Sequence, residues 1–212
     1  MNNLAFQTFG TKKGPSSLVT IGTQTWTNTN LDVVTYRDGT PIPQVTDQTQ
    51  WKNLTTGAWC YFNNDSVIGA TYGRLYNWYA VAGIDGSGTP RILAPVGYHI
   101  PTDAEWTILT DYLGGLSIAG GKMKEVGTTH WASPNTGATN SSGFTGFGGG
   151  NRFYLGQFVY FGGYGFWWTS SETGTGSANT AVWYRFLTAS NTTVTRYTNN
   201  MNAGVNVRLI KD

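Results

Sequence analysis

The chain has 212 residues, enough for one sizeable core, and only 11% are charged, against roughly 25% in an ordinary globular protein. Its 29 Gly, 9 Trp, 12 Tyr and 10 Phe exclude a disordered chain and point to a loop-rich domain held together by ring packing. The formal charge is +2 with the 13 Lys and Arg scattered, which leaves no phosphate-tracking stripe and argues against nucleic acid as a partner.

Cys60 stands alone, so neither an intrachain disulfide nor a zinc site built on several cysteines can form. Within "GAWCYF" it reads as a buried free thiol. The opening "MNNLAFQTFGTKKGPSSLVT" lacks the charged and apolar regions of a signal peptide. No apolar run approaches the ~20 residues of a membrane span. The sequence therefore reads as a soluble protein made in the cytoplasm, without a membrane partner. Work outside the cell would require lysis, a particle, or a leader this sequence lacks.

Residues 1–20 read as an arm. Leu4, Phe6 and Phe9 form a small apolar cluster ahead of the linker "GTKKGPSS". They suit either a loose terminus or a segment that docks on another subunit. From Val19, "VTIGTQTWTNTNLDVVTY" predicts two short strands around a turn. "RDGTPIP" (37–43) is a turn and loop, and "WKNLTTGAWCYFNND" (51–65) a loop leading into an apolar strand or turn. In "YGRLYNWYAVAG" (72–83), Leu75, Trp78, Tyr79 and Ala82 share a helical face that Gly83 ends. Asp85 opens the loop "DGSGTP" without the alternating ligands of a calcium loop.

"GYHIPTDAEWTIL" (97–109) carries the most local information. Thr102 and Glu105 form a capping box, and Asp103 adds the negative charge that a helix N-terminus favours. Trp106, Leu109 and Leu113 then make the buried face of a helix over 103–113, stopped by Gly114-Gly115. Pro101 keeps His99-Ile100 extended. Beyond "AGGKMKEVGTTHW" the helical pattern nearly ceases, and 144–172 and 181–210 read as short strands and long loops. "FWWTSSE", "AVWYRFL" and "VNVRLI" are the expected central strands.

"IGTQTW", "YGRLYNWYAV", "LAPVGYHIPTDAEWTILTDYLGG", "AGGKMKEVGTTHWASPNTGATNSSGF", "WWTSSE" and "VNVRLIKD" follow one another along the chain. Together they resemble the Fibrobacter succinogenes major paralogous domain, over a domain of residues 21–212 behind the arm. The resemblance implies an α+β, C-type-lectin-like fold: two short helices packed on small twisted antiparallel sheets, rich in loops. That branch also holds the formylglycine-generating enzymes and the variable proteins of diversity-generating retroelements. "HIPTDAEW" is similar to their "RLPTEAEWE" segment. Two departures stand out. "TQTWTNTNL" replaces a commoner "TQTWMAENL", and the secretion leader usual in the family gives way to the arm.

Catalysis of the formylglycine-generating type needs a pair of cysteines, and this chain has one. His99 and His130 read as structural, and nothing resembles a nucleophile elbow. The expectation is therefore a protein that is not an enzyme. Recognition fits better: 151–164 and 183–200 interleave rings, Arg, Asn and Gly, the vocabulary of adaptable binding surfaces. Arg152, Tyr154, Tyr184, Asn191, Thr193, Arg196, Tyr197, Asn199 and Asn200 are the candidate ligand-binding residues. Trp167, Trp168 and Trp183 read as core. The Asn-rich stretch 191–202 is similar to the region that varies in the retroelement branch. Glu172 or Asp65 could contribute to a calcium site, but neither lies in a ligand series, so no metal and no cofactor are assigned. The expected partner is a bacterial surface glycan or protein. A phage particle that holds the chain among other virion subunits through residues 1–20 is one setting; a secreted or cell-surface adhesin is the alternative. A homo-oligomer is compatible with both.

Overall fold

The computed structural model describes residues 17–174 and 182–212. In chain order these form β1 (Leu18–Ile21), β2 (Gln24–Thr27), α1 (Gln48–Lys52), β3 (Trp59–Cys60), a 3-10 turn (Phe62–Asn64), α2 (Ser66–Tyr72), β4 (Leu75–Tyr76) and α3 (Trp78–Val81). There follow β5 (Tyr98–His99), α4 (Asp103–Tyr112), α5 (Leu116–Met123), β6 (Gly149–Arg152), β7 (Phe158–Phe161), β8 (Tyr164–Glu172), β9 (Val182–Thr188), β10 (Thr195–Asn199) and β11 (Ile210–Lys211). One sheet has the order β1-β2-β11-β5, a larger one β10-β9-β8-β6-β7, and β3 pairs with β4 alone. The expected α+β, loop-rich class is the class observed.

The capping box forms as the sequence predicts. The Thr102 side chain accepts from the Glu105 N–H, and the Glu105 carboxylate accepts from the Thr102 N–H at 2.8 Å. The two strands read from "VTIGTQTWT" form around Gly22. Three expectations need correction. The helical face over 72–83 shrinks to α3, because Leu75 and Tyr76 pair with Cys60 and Trp59 as strand. Gly114-Gly115 do stop α4, but a further helix, α5, follows directly where none was expected. "VNVRLI" is not one central strand: Asn206 bridges to Trp167 in the large sheet, whereas Ile210 pairs with Trp26 and His99 in the small one.

Two cores flank the large sheet. One gathers Trp78, Val81, Phe166, Trp168, Val182, Val205 and Val207. The other packs Trp26, Trp106, Leu109, Trp131, Phe144, Trp167 and Leu187 beneath α4 and α5. Within the second, the Trp26 and Trp106 rings meet edge to face at 4.9 Å between centroids. A smaller cluster encloses Trp51, Phe62 and Cys60, whose thiol burial pushes up to about 12.

Long loops leave many backbone carbonyls without strand or helix partners, and buried carbonyls must be hydrogen-bonded. The chain meets them with buried cations. Arg208 donates to the carbonyls of Thr27 (2.8 Å), Phe144 (2.9 Å) and Thr145 (2.9 Å), and burial lowers its pKa to about 9. Lys124 donates to Thr136, Thr188 and Asn191 carbonyls at 2.8–2.9 Å, and burial lowers its pKa to about 8. Arg74 and Arg185, also buried, meet the carboxylates of Asp32 and Asp103 instead.

Candidate functional site

Side chains alternate between the faces of a strand, so the register of the large sheet decides which rings stand together. Tyr197 lies opposite Tyr184, which lies opposite Trp168; Thr195 lies opposite Phe186, which lies opposite Phe166. These residues and Tyr164 share one face. Their rings form a continuous array, with centroid distances of 6.4 Å for Tyr184–Tyr197, 5.8 Å for Tyr184–Phe186, 5.9 Å for Tyr164–Phe186 and 5.7 Å for Tyr164–Phe166. Phe166 and Tyr184 are the buried floor, and Tyr164 and Phe186 are half-exposed. Tyr197, 61% exposed, and Tyr160, 56% exposed, stand at the two ends.

Tyr160 is the unusual member. It sits at φ +67° within β7, a conformation that costs a non-glycine residue about 1–3 kcal/mol and persists only where its surroundings fix it. There it lays its ring 4.8 Å from that of Tyr164. Burial raises the Tyr184 phenol to about 12, with the Tyr197 and Tyr160 phenols adding to the shift, so this hydroxyl stays protonated and neutral at physiological pH.

The model of the Fibrobacter succinogenes major domain matches residues 19–211. The chain belongs to that family. No curated protein and no solved structure matches it.

In this Fibrobacter succinogenes major domain the residues expected to bind ligand divide. Tyr184 is buried, as floor rather than contact surface. Arg152 is only 1% exposed: its guanidinium donates to the carbonyls of Val45, Thr46, Asp47 and Gly156 and lies 4.4 Å from the Trp51 ring. Both expectations are corrected by burial. Tyr154, half-buried, pairs with Phe153 in the β6–β7 loop, ring centroids 4.3 Å apart. Asn191 and Thr193 lie in the β9–β10 loop, where the Asn191 side chain accepts from the Thr193 N–H. Arg196 projects from the opposite face, held by Asp103 at 3.0 Å and stacked 3.3 Å from the centre of the Trp183 ring. Trp183 is half-exposed beneath that guanidinium, so the expectation of core holds for Trp167 and Trp168 but not fully for Trp183. Asn199 and Asn200 are half-exposed, and each side-chain oxygen accepts from a nearby backbone N–H, of Asn200 and of Asn202.

Of the nine candidates, the aromatic face thus unites Tyr184 and Tyr197, with Asn199 one row along the same face. Tyr160, Tyr164 and Phe186 were missed by sequence reasoning. The available signal was "FVYFGGYGF", whose Gly162-Gly163 turn returns the chain with Tyr160 and Tyr164 on either side.

The family domain's histidines are engaged elsewhere. His99 lies between Glu105 (2.8 Å) and Asp212 (2.7 Å); burial alone would lower its pKa, but the hydrogen bonds to Asp212 and Glu105 prevail and raise it. His130 meets Glu125 at 2.7 Å. A cleft of about 390 Å³ opens beside His99. Its Arg37 is held by the carbonyls of Ala94, Pro95 and Tyr98, its Arg91 by Asp38 and Asp85, and its Ser170 hydroxyl donates to Ile100 rather than to His99. Among the described residues no three His, Cys, Asp or Glu side chains gather as a metal site. Asp65 caps α2, Asp85 holds Arg91, and Glu172 is exposed at the end of β8. No described helix is long and apolar enough to cross a membrane. Leu4, Phe6 and Phe9 lie outside the described residues.

Proposed function

We propose that this domain is a recognition module, without catalysis, that binds an uncharged glycan on the surface made by Tyr160, Tyr164, Phe186 and Tyr197. The observation that carries the reading is the exposed aromatic array with Tyr160 held in a strained backbone conformation at one end. Pyranose rings offer apolar faces bounded by hydroxyls, and this surface offers ring faces bounded by the phenols of Tyr160, Tyr164 and Tyr197. The arginines of β9 and β10, Arg185 and Arg196, occupy the opposite face, against Asp103. We further place the fold among the C-type-lectin-like domains. The support is the pairing of β2, near the start of the domain, with β11, at its end, beside a helix pair that packs on the sheets.

The test is calorimetric titration with a panel of neutral and acidic bacterial surface polysaccharides. We expect binding to a neutral member. Tyr197→Ala should weaken it about tenfold or more, as expected for truncation of an aromatic anchor. Binding confined to acidic polymers, or affinity unchanged in Tyr197→Ala and Tyr160→Gly alike, would overturn the assignment. Saturable binding of a protein from the same surface, with no glycan binding, would move the site to the other ligand class.

A further inference from the structure

The outer faces of α4 and α5 carry a second apolar surface, away from the aromatic array. Ile108, Tyr112, Leu116 and Ile118 are 44–66% exposed, four large hydrophobes within eleven residues. Ile108 and Tyr112 are four apart on one helix face, and Ile118 lies across Gly114, so close that a Cβ there would meet its Cδ1 at 2.6 Å. Contiguous exposed apolar surface of this kind marks an interaction site.

What covers it is argued from where the described chain begins. Ser17 leads into β1, the outermost strand of its sheet. At the other end of β1 the turn at Gly22 lies directly under the Tyr112 ring, 2.9 Å from a Cβ built on that glycine. Ser17 is thus about 17 Å from the surface, at ~3.3 Å per strand residue. The eight residues back from Ser17 to Phe9 can span about 28 Å. Gly14-Pro15, a turn-forming pair, lies within that stretch and allows the chain to reverse. Leu4, Phe6 and Phe9 supply apolar groups. Lys12-Lys13 supply positive charge, and Asp111 is an exposed α4 carboxylate with no ion pair among the described residues.

We propose that residues 4–9 dock on the α4–α5 surface of their own chain, seating Leu4, Phe6 and Phe9 on Ile108, Tyr112, Leu116 and Ile118. The short tether gives the segment an effective concentration that a free partner would have to exceed.

Photo-crosslinking of the full chain tests this. The variant Phe6→p-benzoylphenylalanine is irradiated at low protein concentration and the products are mapped by mass spectrometry. The expected product has the mass of one chain and joins residue 6 to the segment 104–123. Its yield should fall about tenfold with Ile108→Glu and Ile118→Glu together, the equivalent of losing one aliphatic contact. The melting temperature of the double variant shows whether the domain stays folded; if it does not, Ile118→Ser alone serves. A product of twice the chain mass, a product elsewhere on the domain, no product, or a yield indifferent to these substitutions in a folded protein would each overturn the proposal.

Discussion

On one face of β8 and β9, Trp167, Arg185 and Leu187 lie beneath α4 and α5, and Arg185 is closed off by Asp103 at 2.6 Å. On the other face, Tyr164 and Phe186 reach the surface, and Tyr197 on β10 stands clear of it. Neighbouring residues of the same strands are thus divided between structure and presentation. On the covered face the Arg185 guanidinium donates to Asp103. The open face keeps its rings in contact with one another and leaves their outer surfaces free.

That contrast can be broken from the covered side first. Trp167→Ala removes a fully buried ring from the second core and should destabilise the domain by about 3–5 kcal/mol in urea unfolding. A loss near that of an exposed residue would mean that α4 and α5 do not depend on the sheet.

Lys124, which ties the α5–β6 loop to the end of β9 and the loop after it through three carbonyls, should give a pH signature. An unfolded lysine holds its proton to about pH 10.4, whereas burial in the fold lowers its pKa to about 8. Between these values the unfolded chain holds a proton at Lys124 that the folded chain has lost, so this residue makes stability rise with pH from about 8. Arg208, lowered to about 9 by burial, adds to the rise, while Cys60, raised to about 12, opposes it above the ordinary thiol value near 8.5. Above pH 10 the sign reverses, because Tyr36 and Tyr184 are held at about 12 in the fold and lose their protons sooner when unfolded. Unfolding midpoints across pH 7–10 check this, and Lys124→Met should flatten the rise.

His99 gives a smaller effect of opposite direction. Its pKa is raised in the fold by Asp212 and Glu105, against the pull of burial. Its contribution is therefore complete below the unfolded value near 6.5 and is lost as pH rises through the higher folded value. His99→Gln should remove that slope and leave the Lys124 signature intact.

Tyr197→Ala should barely register in the same unfolding measurements, within about 0.5 kcal/mol, because its ring is largely in solvent. Together with the expected loss of glycan affinity, this sharpens the contrast: one face measured by stability, the other by binding.

The sequence shows what is local and conceals what depends on partners far along the chain. The α4 capping box is written within four residues and is legible at sight. By contrast, α5 contains Gly120 and Gly121, which weaken its helical signal. A Cβ on Gly120 would lie 2.7 Å from the Thr192 carbonyl oxygen, and one on Gly121 2.5 Å from the Gly137 carbonyl oxygen, so neither position has room for a side chain. The same limit explains the site. Arg152 and Tyr184 have sequence surroundings as polar and aromatic as those of Tyr197, and only distant neighbours separate buried from open: the carbonyls of Val45, Thr46 and Asp47 around Arg152, and the rings of Phe166, Phe186 and Tyr197 around Tyr184. Tyr160 owes its position to a backbone angle that no side-chain pattern announces.

Lys124, Arg152 and Arg208 bind the loops through main-chain oxygens, at Thr136, Thr188, Asn191, Val45, Thr46, Asp47, Gly156, Thr27, Phe144 and Thr145. Every amino acid, proline included, brings such an oxygen. At these positions the anchoring is therefore blind to the identity of the residue anchored, although Arg208 also donates to the Asn30 side-chain oxygen at 2.7 Å. Loop positions can exchange side chains over generations while their backbones remain fastened from below, so the scaffold tolerates turnover of its outward-facing residues without being rebuilt.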